Sequence, residues 1–211
     1  ALENEVPMKG RLITFEGIDG SGKSTQASLL ADALRARGFP VHFLREPGGT
    51  VVGERIRDVL LDRSHTEMTP LSELFLYLAA RSQITGERIL PALECGDVVV
   101  MDRYLDSSVA YQGAARGLGV DLVKSLNSVA ACDLVPDRTY LVDCDPETAL
   151  SRTSAAPDRL ESEGKAFMSK VREGFLSISR SEPARVMVLD GSRSIEELAC
   201  LILADTLTLF Q

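Results

Sequence analysis

Five short apolar runs recur along the chain at intervals too long for hairpins: "RLITFEG", "PVHFLREPGG", "DVVVMDRYLDSS", "DRTYLVDCD" and "SEPARVMVLDGS". Stretches with helical spacing separate them: "KSTQASLLADALRARG", which stops at Gly38, "GERIRDVLL", "DLVKSLNSVAA" and "PETALSRT", with Pro146 in its first turn. Strands joined through helices lie parallel rather than antiparallel. The pattern therefore predicts an α/β fold, a parallel sheet covered by helices on both faces, with ligands at the carboxyl ends of the strands. "LSELFLYLAARSQITGERILPALECG" reads as one long helix or as two meeting near Pro91. "SIEELACLILADTLTLF" reads as a closing helix with a capping box, Ser194 and Glu197. The polar stretch 153–165 interrupts the alternation and is expected to be a short lid.

The first strand runs straight into the most informative stretch, "LITFEGIDGSGKSTQ". Gly17, Gly22, Lys23 and Ser24 match the phosphate-loop pattern G-x-x-x-x-G-K-[ST], with a strand before and a helix after, as the chemistry requires. Backbone N–H groups of Gly20, Ser21, Gly22 and Lys23 are expected to surround a β-phosphate at the helix N-terminus. Lys23 would supply a cation between β- and γ-phosphates and Ser24 a hydroxyl to Mg²⁺. Asp19 is the anomaly. A carboxylate aimed at the phosphates would repel them by several kcal/mol in a partly dry site, so Asp19 is expected to turn outward, toward a second ligand, or else to cap an amide.

The third strand ends at Asp102, where phosphate-loop enzymes carry an acid associated with Mg²⁺; the plainer reading is a turn cap. Arg103 beside it is placed to grip a second phosphate with a two-pronged guanidinium. Arg45, Arg57, Arg81, Arg152 and Arg159 also fall at strand ends, on the helices behind them, or in the lid. Singly each reads as a surface ion-pair partner; together, in an acidic chain, they point to polyphosphate. "DSSVAYQGAARG", residues 106–117, reads as a turn-rich loop whose hydroxyls, aromatic and amide suit a nucleobase. These parts suggest phosphoryl transfer between two bound nucleotides, with cationic stabilisation and no covalent nucleophile.

Composition narrows the alternatives. The 211 residues are 45% hydrophobic and 26% charged, enough for one domain over residues 9–211 with a lid at about 153–165. A net charge of −8 and the absence of Trp argue against a broad nucleic-acid face or a base-stacking platform. Cys95, Cys132, Cys144 and Cys200 lie too far apart for a metal cluster and are expected to be buried, reduced thiols. His42 and His65 stand alone and read as structural or surface residues. No apolar run approaches the roughly 20 residues of a membrane span, and "ALENEVPMKGR" lacks a hydrophobic signal core. Residues 1–8 read as a flexible extension, and the protein is expected to be cytoplasmic.

Together "FEGIDGSGKST", "REPGGT", "AARSQ", "DRYLDSSVAYQG" and "DRLE" resemble the bacterial thymidylate kinase family, in the right order and over most of the chain. The resemblance implies a three-layer P-loop NTPase fold with a five-stranded parallel sheet, the reaction ATP + dTMP ⇌ ADP + dTDP with Mg²⁺, and a homodimer. It implies an ATP site at Gly17, Ile18, Asp19, Gly20, Ser21, Gly22, Lys23, Ser24 and Thr25, with Arg193 in "DGSRS" on the adenine side. Asp19 would meet the dTMP 3′-hydroxyl, and Arg57 and Arg103 its phosphate. Arg81 would hydrogen-bond thymine, with Tyr77 against the ring where the family commonly has Phe; Phe75 is the fallback if the register differs. Ser107, Ser108, Tyr111 and Gln112 would line base and sugar, and Glu46 and Pro47 would close over the nucleoside. Gly20 stands where some members carry a loop arginine, so the catalytic cation would come from the lid, Arg159 first and Arg152 second, alongside Lys23 and Asp102. The metal would rest on Ser24 and Asp102, directly or through water. Helices around 53–61 and 71–81 are the expected pairing surface. Another nucleoside monophosphate kinase, a deoxynucleoside kinase, or a nucleotide-gated switch are the competing readings.

Overall fold

The computed structural model describes residues 10–152 and 159–211. The expected N-terminal extension, 1–8, and residues 153–158 of the expected lid lie outside the described residues. In chain order the elements are β1 (Arg11–Glu16), α1 (Lys23–Arg35), β2 (Val41–Arg45), α2 (Val51–Leu61), α3 (Pro70–Ile84), α4 (Leu90–Glu94), β3 (Val98–Asp102) and α5 (Leu105–Ser108). They continue with α6 (Val120–Ala130), β4 (Arg138–Asp143), α7 (Pro146–Arg152), α8 (Lys165–Ser181), β5 (Val186–Asp190) and α9 (Ile195–Leu207). All five strands pair in parallel, in the order β2–β3–β1–β4–β5.

The strand pleat sends alternate residues to opposite faces, and both faces are apolar. On one side Ile13, Phe15, Val98, Val100, Tyr140 and Val142 meet Leu30 and Leu34 of α1 and Leu198 and Ile202 of α9. On the other, Leu12, Val99 and Met101 meet Ile84 and Ile89, while Leu141 joins a cluster with Leu74, Val123 and Phe175. The result is three layers, with the central strand β1 feeding the phosphate loop. Among the described residues no helix is long and apolar enough to cross a membrane.

The stretch before β3 follows the two-helix reading, with a π-turn, Thr85–Ile89, joining α3 to α4 just ahead of Pro91; the local expectations fail at two other places. Pro91 has no N–H to donate into the preceding turn, and the wider turn just before it absorbs the mismatch. Residues 106–117 are largely helix rather than loop, with α5 running into a π-helical stretch, Val109–Ala115. Val109, Ala110 and Tyr111 are buried there with Val171 and Phe175 of α8. The contact is close enough that a Cβ on Gly174 would lie 3.0 Å from the Ala110 Cα. The 17-residue α8 itself goes unread in the sequence analysis, although Phe167, Val171, Phe175 and Ile178 fall at helical spacing. The cysteine expectation is also corrected: Cys144 is buried, but Cys95, Cys132 and Cys200 are exposed. Their helix-end and helix-surface positions present sulfur to solvent without cost to the core.

Candidate active site

The phosphate loop is shaped by glycine. Gly17 has φ +140°, and a Cβ there would sit 2.5 Å from the Val142 carbonyl oxygen of the neighbouring strand. Gly22, at φ +98°, is the N-cap of α1 and carries no capping side chain. The first N–H groups of α1 are therefore left for an anion, where the helix dipole favours negative charge. A cavity of about 640 Å³ opens over them, lined by Asp19, Gly20, Ser21, Gly22, Lys23, Ser24 and Thr25, with Arg152, Arg193 and Ile195 on its far wall. Ile18 turns away into the core.

A second, narrower cavity of about 80 Å³ lies beyond Asp19. Its lining includes Glu46, Pro47, Arg57, Tyr77, Arg103, Ser107, Ser108, Tyr111 and Gln112, as expected, together with Leu61 and Leu160. Small-molecule sites usually span several hundred Å³, so a ligand of that size would have to push these side chains apart. Arg57 donates to the Pro47 carbonyl at 3.0 Å. Gln112 is steadied by donating to Glu73 at 2.8 Å.

Asp19 lies in the walls of both cavities. Instead of turning away from the loop's cation, its Oδ1 accepts from Lys23 Nζ at 2.9 Å and from Arg103 Nη2 at 2.7 Å. Burial pushes the carboxyl up, but Arg103 and then Lys23 outweigh it and hold the group well below the usual carboxylate range. Two cations from two elements thus share one carboxylate, which removes the repulsion anticipated from sequence.

Arg103 is itself multiply held. Its Nη1 donates to the Gly17 carbonyl at 3.0 Å and to Ser107 Oγ at 3.1 Å, and its Nη2 reaches Tyr111 Oη at 3.3 Å. The guanidinium also lies over the Tyr111 ring, 5.3 Å from its centroid.

Three expected residues are placed differently. Arg81 is fully buried and outside the lining of the narrower cavity. Its five N–H donors are engaged by Glu46 Oε2 (twice), Ser108 Oγ, Asn127 Oδ1 and the Tyr104 carbonyl. In this arrangement the guanidinium's donors are all taken up within the protein, and it organises the wall. Phe75 is 53% exposed on α3 and outside the cavity, so of these two aromatics it is Tyr77 that joins the lining. Arg159 donates from Nε to the Leu60 carbonyl at 2.8 Å and pairs through Nη2 with Glu73 at 2.7 Å, away from the phosphate loop. Arg152, the second choice, is the lid-side arginine that lines the donor cavity, with Nη1 donating to the Gly191 carbonyl at 3.0 Å.

Asp102 lines neither cavity, but its buried Oδ1 has no hydrogen-bond partner among the described residues. Sequence reasoning missed Glu16, Glu73 and Asn127. Glu16 at least stands out as an acid closing an apolar strand, where a charge needs partners.

An uncapped helix behind a glycine loop, beside a second, arginine-bearing cavity across a shared carboxylate, defines a P-loop phosphate-binding enzyme. The sequence profile of thymidylate kinase matches residues 15–202. A thymidylate kinase of Caldanaerobacter subterraneus subsp. tengcongensis is 47% identical over 189 residues, spanning 89% of this chain and 90% of its own length. That of Bifidobacterium longum subsp. infantis is 46% identical over 207 residues, spanning 97% and 89%. A crystal structure of thymidylate kinase from Ehrlichia chaffeensis superposes with a TM-score of 0.77 at 33% identity, covering 93% of this chain and 98% of that one. The chain belongs to the thymidylate kinase family.

Proposed function

We propose that the protein transfers the γ-phosphoryl group of ATP to dTMP, giving ADP and dTDP, with ATP in the larger cavity and dTMP in the narrower one. The observation that carries this reading is the pair of cavities meeting at Asp19, one floored by helix N–H groups and the other holding Arg57 and Arg103. A nucleotide switch needs only the first.

In the proposed reaction an oxygen of the dTMP phosphate attacks the γ-phosphorus, and the bond from that phosphorus to the β–γ bridging oxygen breaks, leaving ADP. The attacking oxygen is already anionic, so no general base is needed. The protein's work is positioning and charge stabilisation. Loop amides and Lys23 hold the donor's phosphates, Arg57 and Arg103 the acceptor's, and Arg152 meets the charge that develops between them. Asp19 keeps Lys23 and Arg103 in register until the substrates arrive, then remains for the sugar hydroxyl of dTMP.

Tyr77 packs on the base, and Ser108, which accepts from Arg81, keeps its own hydrogen for a base carbonyl. The unpartnered Oδ1 of Asp102 and the Ser24 hydroxyl at the start of α1 suit Mg²⁺. When bound, the ion would draw charge from the β- and γ-phosphate oxygens.

The protein is further proposed to act in the cytoplasm as a homodimer. Unpaired exposed thiols suit a reducing compartment. Val51, Val52 and Val59 of α2 and Leu71 and Phe75 of α3 expose an apolar face that a second copy would cover. Turnover with ATP and Mg²⁺ on dTMP, dUMP, dCMP, AMP and thymidine tests the reaction. Preference for thymidine over its monophosphate would remove Arg57 and Arg103 from the assigned role.

A further inference from the structure

Glu16 is fully buried at the end of β1, one residue before the phosphate loop. Both of its oxygens turn to a single short segment on the acceptor side. Oε1 accepts from the backbone N–H of Tyr104 at 2.8 Å and of Ser107 at 3.2 Å, and Oε2 accepts from the Ser107 hydroxyl at 2.6 Å. The same hydroxyl oxygen accepts from Arg103 Nη1 at 3.1 Å. Arg103 sits in this segment with φ +67°, a left-handed backbone that non-glycine residues seldom adopt unless their surroundings impose it. α5, which begins just after, has no side-chain cap of its own, and Glu16 takes the cap's place from another strand.

We infer that Glu16 is a positioning residue for the acceptor phosphate: through Ser107 it sets the hydrogen-bonding direction and the place of the Arg103 guanidinium. The chain of donors runs one way, from Arg103 to Ser107 to Glu16. A carboxylate at its end obliges the Ser107 hydroxyl to donate toward β1, leaving its lone pairs for Arg103. An amide at position 16 would present N–H groups to the same hydroxyl and compete with Arg103 for it. Other charges face this carboxylate as well: Asp106 on α5, neutralised by Arg185 at 2.8 Å, and beyond Arg103 the carboxylates of Asp19 and Asp102. The arrangement links the strand that builds the donor loop to the arginine that receives the acceptor.

The inference rests on the reading of the narrow cavity as the dTMP site. The test compares wild-type protein with Glu16→Gln, Ser107→Ala and the double variant, each assayed with ATP, Mg²⁺ and dTMP after a thermal melt shows it folded. Glu16→Gln should raise KM for dTMP about tenfold, equivalent to about 1.4 kcal/mol, while KM for ATP stays within about twofold. Ser107→Ala should raise KM for dTMP as well, and the double variant should be no worse than the poorer single one, because both break the same relay. Unchanged KM for dTMP in Glu16→Gln, an equal loss for ATP, or fully additive losses in the double variant would overturn the inference. If Glu16→Gln does not fold, Glu16→Asp, which keeps the charge but shortens its reach, takes its place in the same comparison: a raised KM for dTMP with KM for ATP unchanged supports the relay, and an unchanged KM for dTMP overturns it. Failure of the wild type to use dTMP at all would instead sink the underlying reading of the cavity.

Discussion

Asp19 and Arg103, 84 positions apart in sequence, are joined by a 2.7 Å ion pair that forms the partition between the two cavities. The same Asp19 oxygen accepts from Lys23, so a cation from each cavity shares one anchor. This coupling explains why a phosphate loop tolerates a carboxylate.

Asp19→Asn keeps the shape but withdraws the charge from both cations. Charge-assisted hydrogen bonds contribute about 1.5–3 kcal/mol, so kcat/KM for dTMP should fall roughly 10- to 100-fold. Steady-state kinetics at saturating ATP measures this. Unchanged kinetics would reduce Asp19 to a structural residue.

Arg81 is expected to act through stability. In Arg81→Met the buried Glu46 loses its partner, a change that typically costs about 3–5 kcal/mol. For a chain of this size each kcal/mol moves Tm by about 2–4 °C, so a melt should show a fall of roughly 6–20 °C. A variant with normal Tm but no thymine preference would return Arg81 to the role of base reader.

The two candidate catalytic arginines should separate kinetically. Arg152→Ala is expected to lower kcat on the order of a thousandfold, as removal of an arginine acting on transferring phosphoryl charge does. Arg159→Ala should cost far less in kcat and show mainly as lost thermal stability, because among the described residues it is held by Glu73 and the Leu60 carbonyl. The reverse ranking would restore Arg159 as the catalytic cation.

Buried Glu16 predicts a pH signature in stability. Burial first, and then the charge of Asp106, push its carboxyl up to about 7 from its ordinary 4.5. Between those values the folded chain holds more proton than the unfolded one, so this group's contribution to stability declines as pH rises through the window. Glu16→Gln cannot titrate, so its Tm should rise relative to wild type as pH goes from about 5 to 7. A difference in Tm independent of pH would contradict the raised carboxyl.

The fold was largely readable because its period is unambiguous. Strands such as "VVVMD" are too apolar to lie anywhere but inside a parallel sheet, and glycine with lysine at fixed spacing identifies the loop. α8 went unread because its apolar residues are interleaved with Lys165, Lys170, Arg172 and Glu173, which disguised the stripe as more of the polar lid. The stretch 106–117 looked like a loop because small residues favour turns locally, while packing against α8 decided for helix. The positions of residues that follow a backbone motif, such as Lys23 and Arg103 in the cavity walls, are legible in the sequence. The ion pairs of the arginines are not, since sequence places a guanidinium near a cavity but does not say which carboxylates its donors meet. Glu73 pairs with Arg159 and Glu46 with Arg81.

The central claim is that ATP and dTMP lie end to end in adjoining cavities. Calorimetric titration with a bisubstrate compound, adenosine and thymidine joined 5′ to 5′ through a chain of phosphates, measures it most directly. The account predicts one molecule bound per chain, competing with both ATP and dTMP, and tighter than either nucleotide alone. Competition with ATP only, and affinity no better than that of ATP, would contradict it.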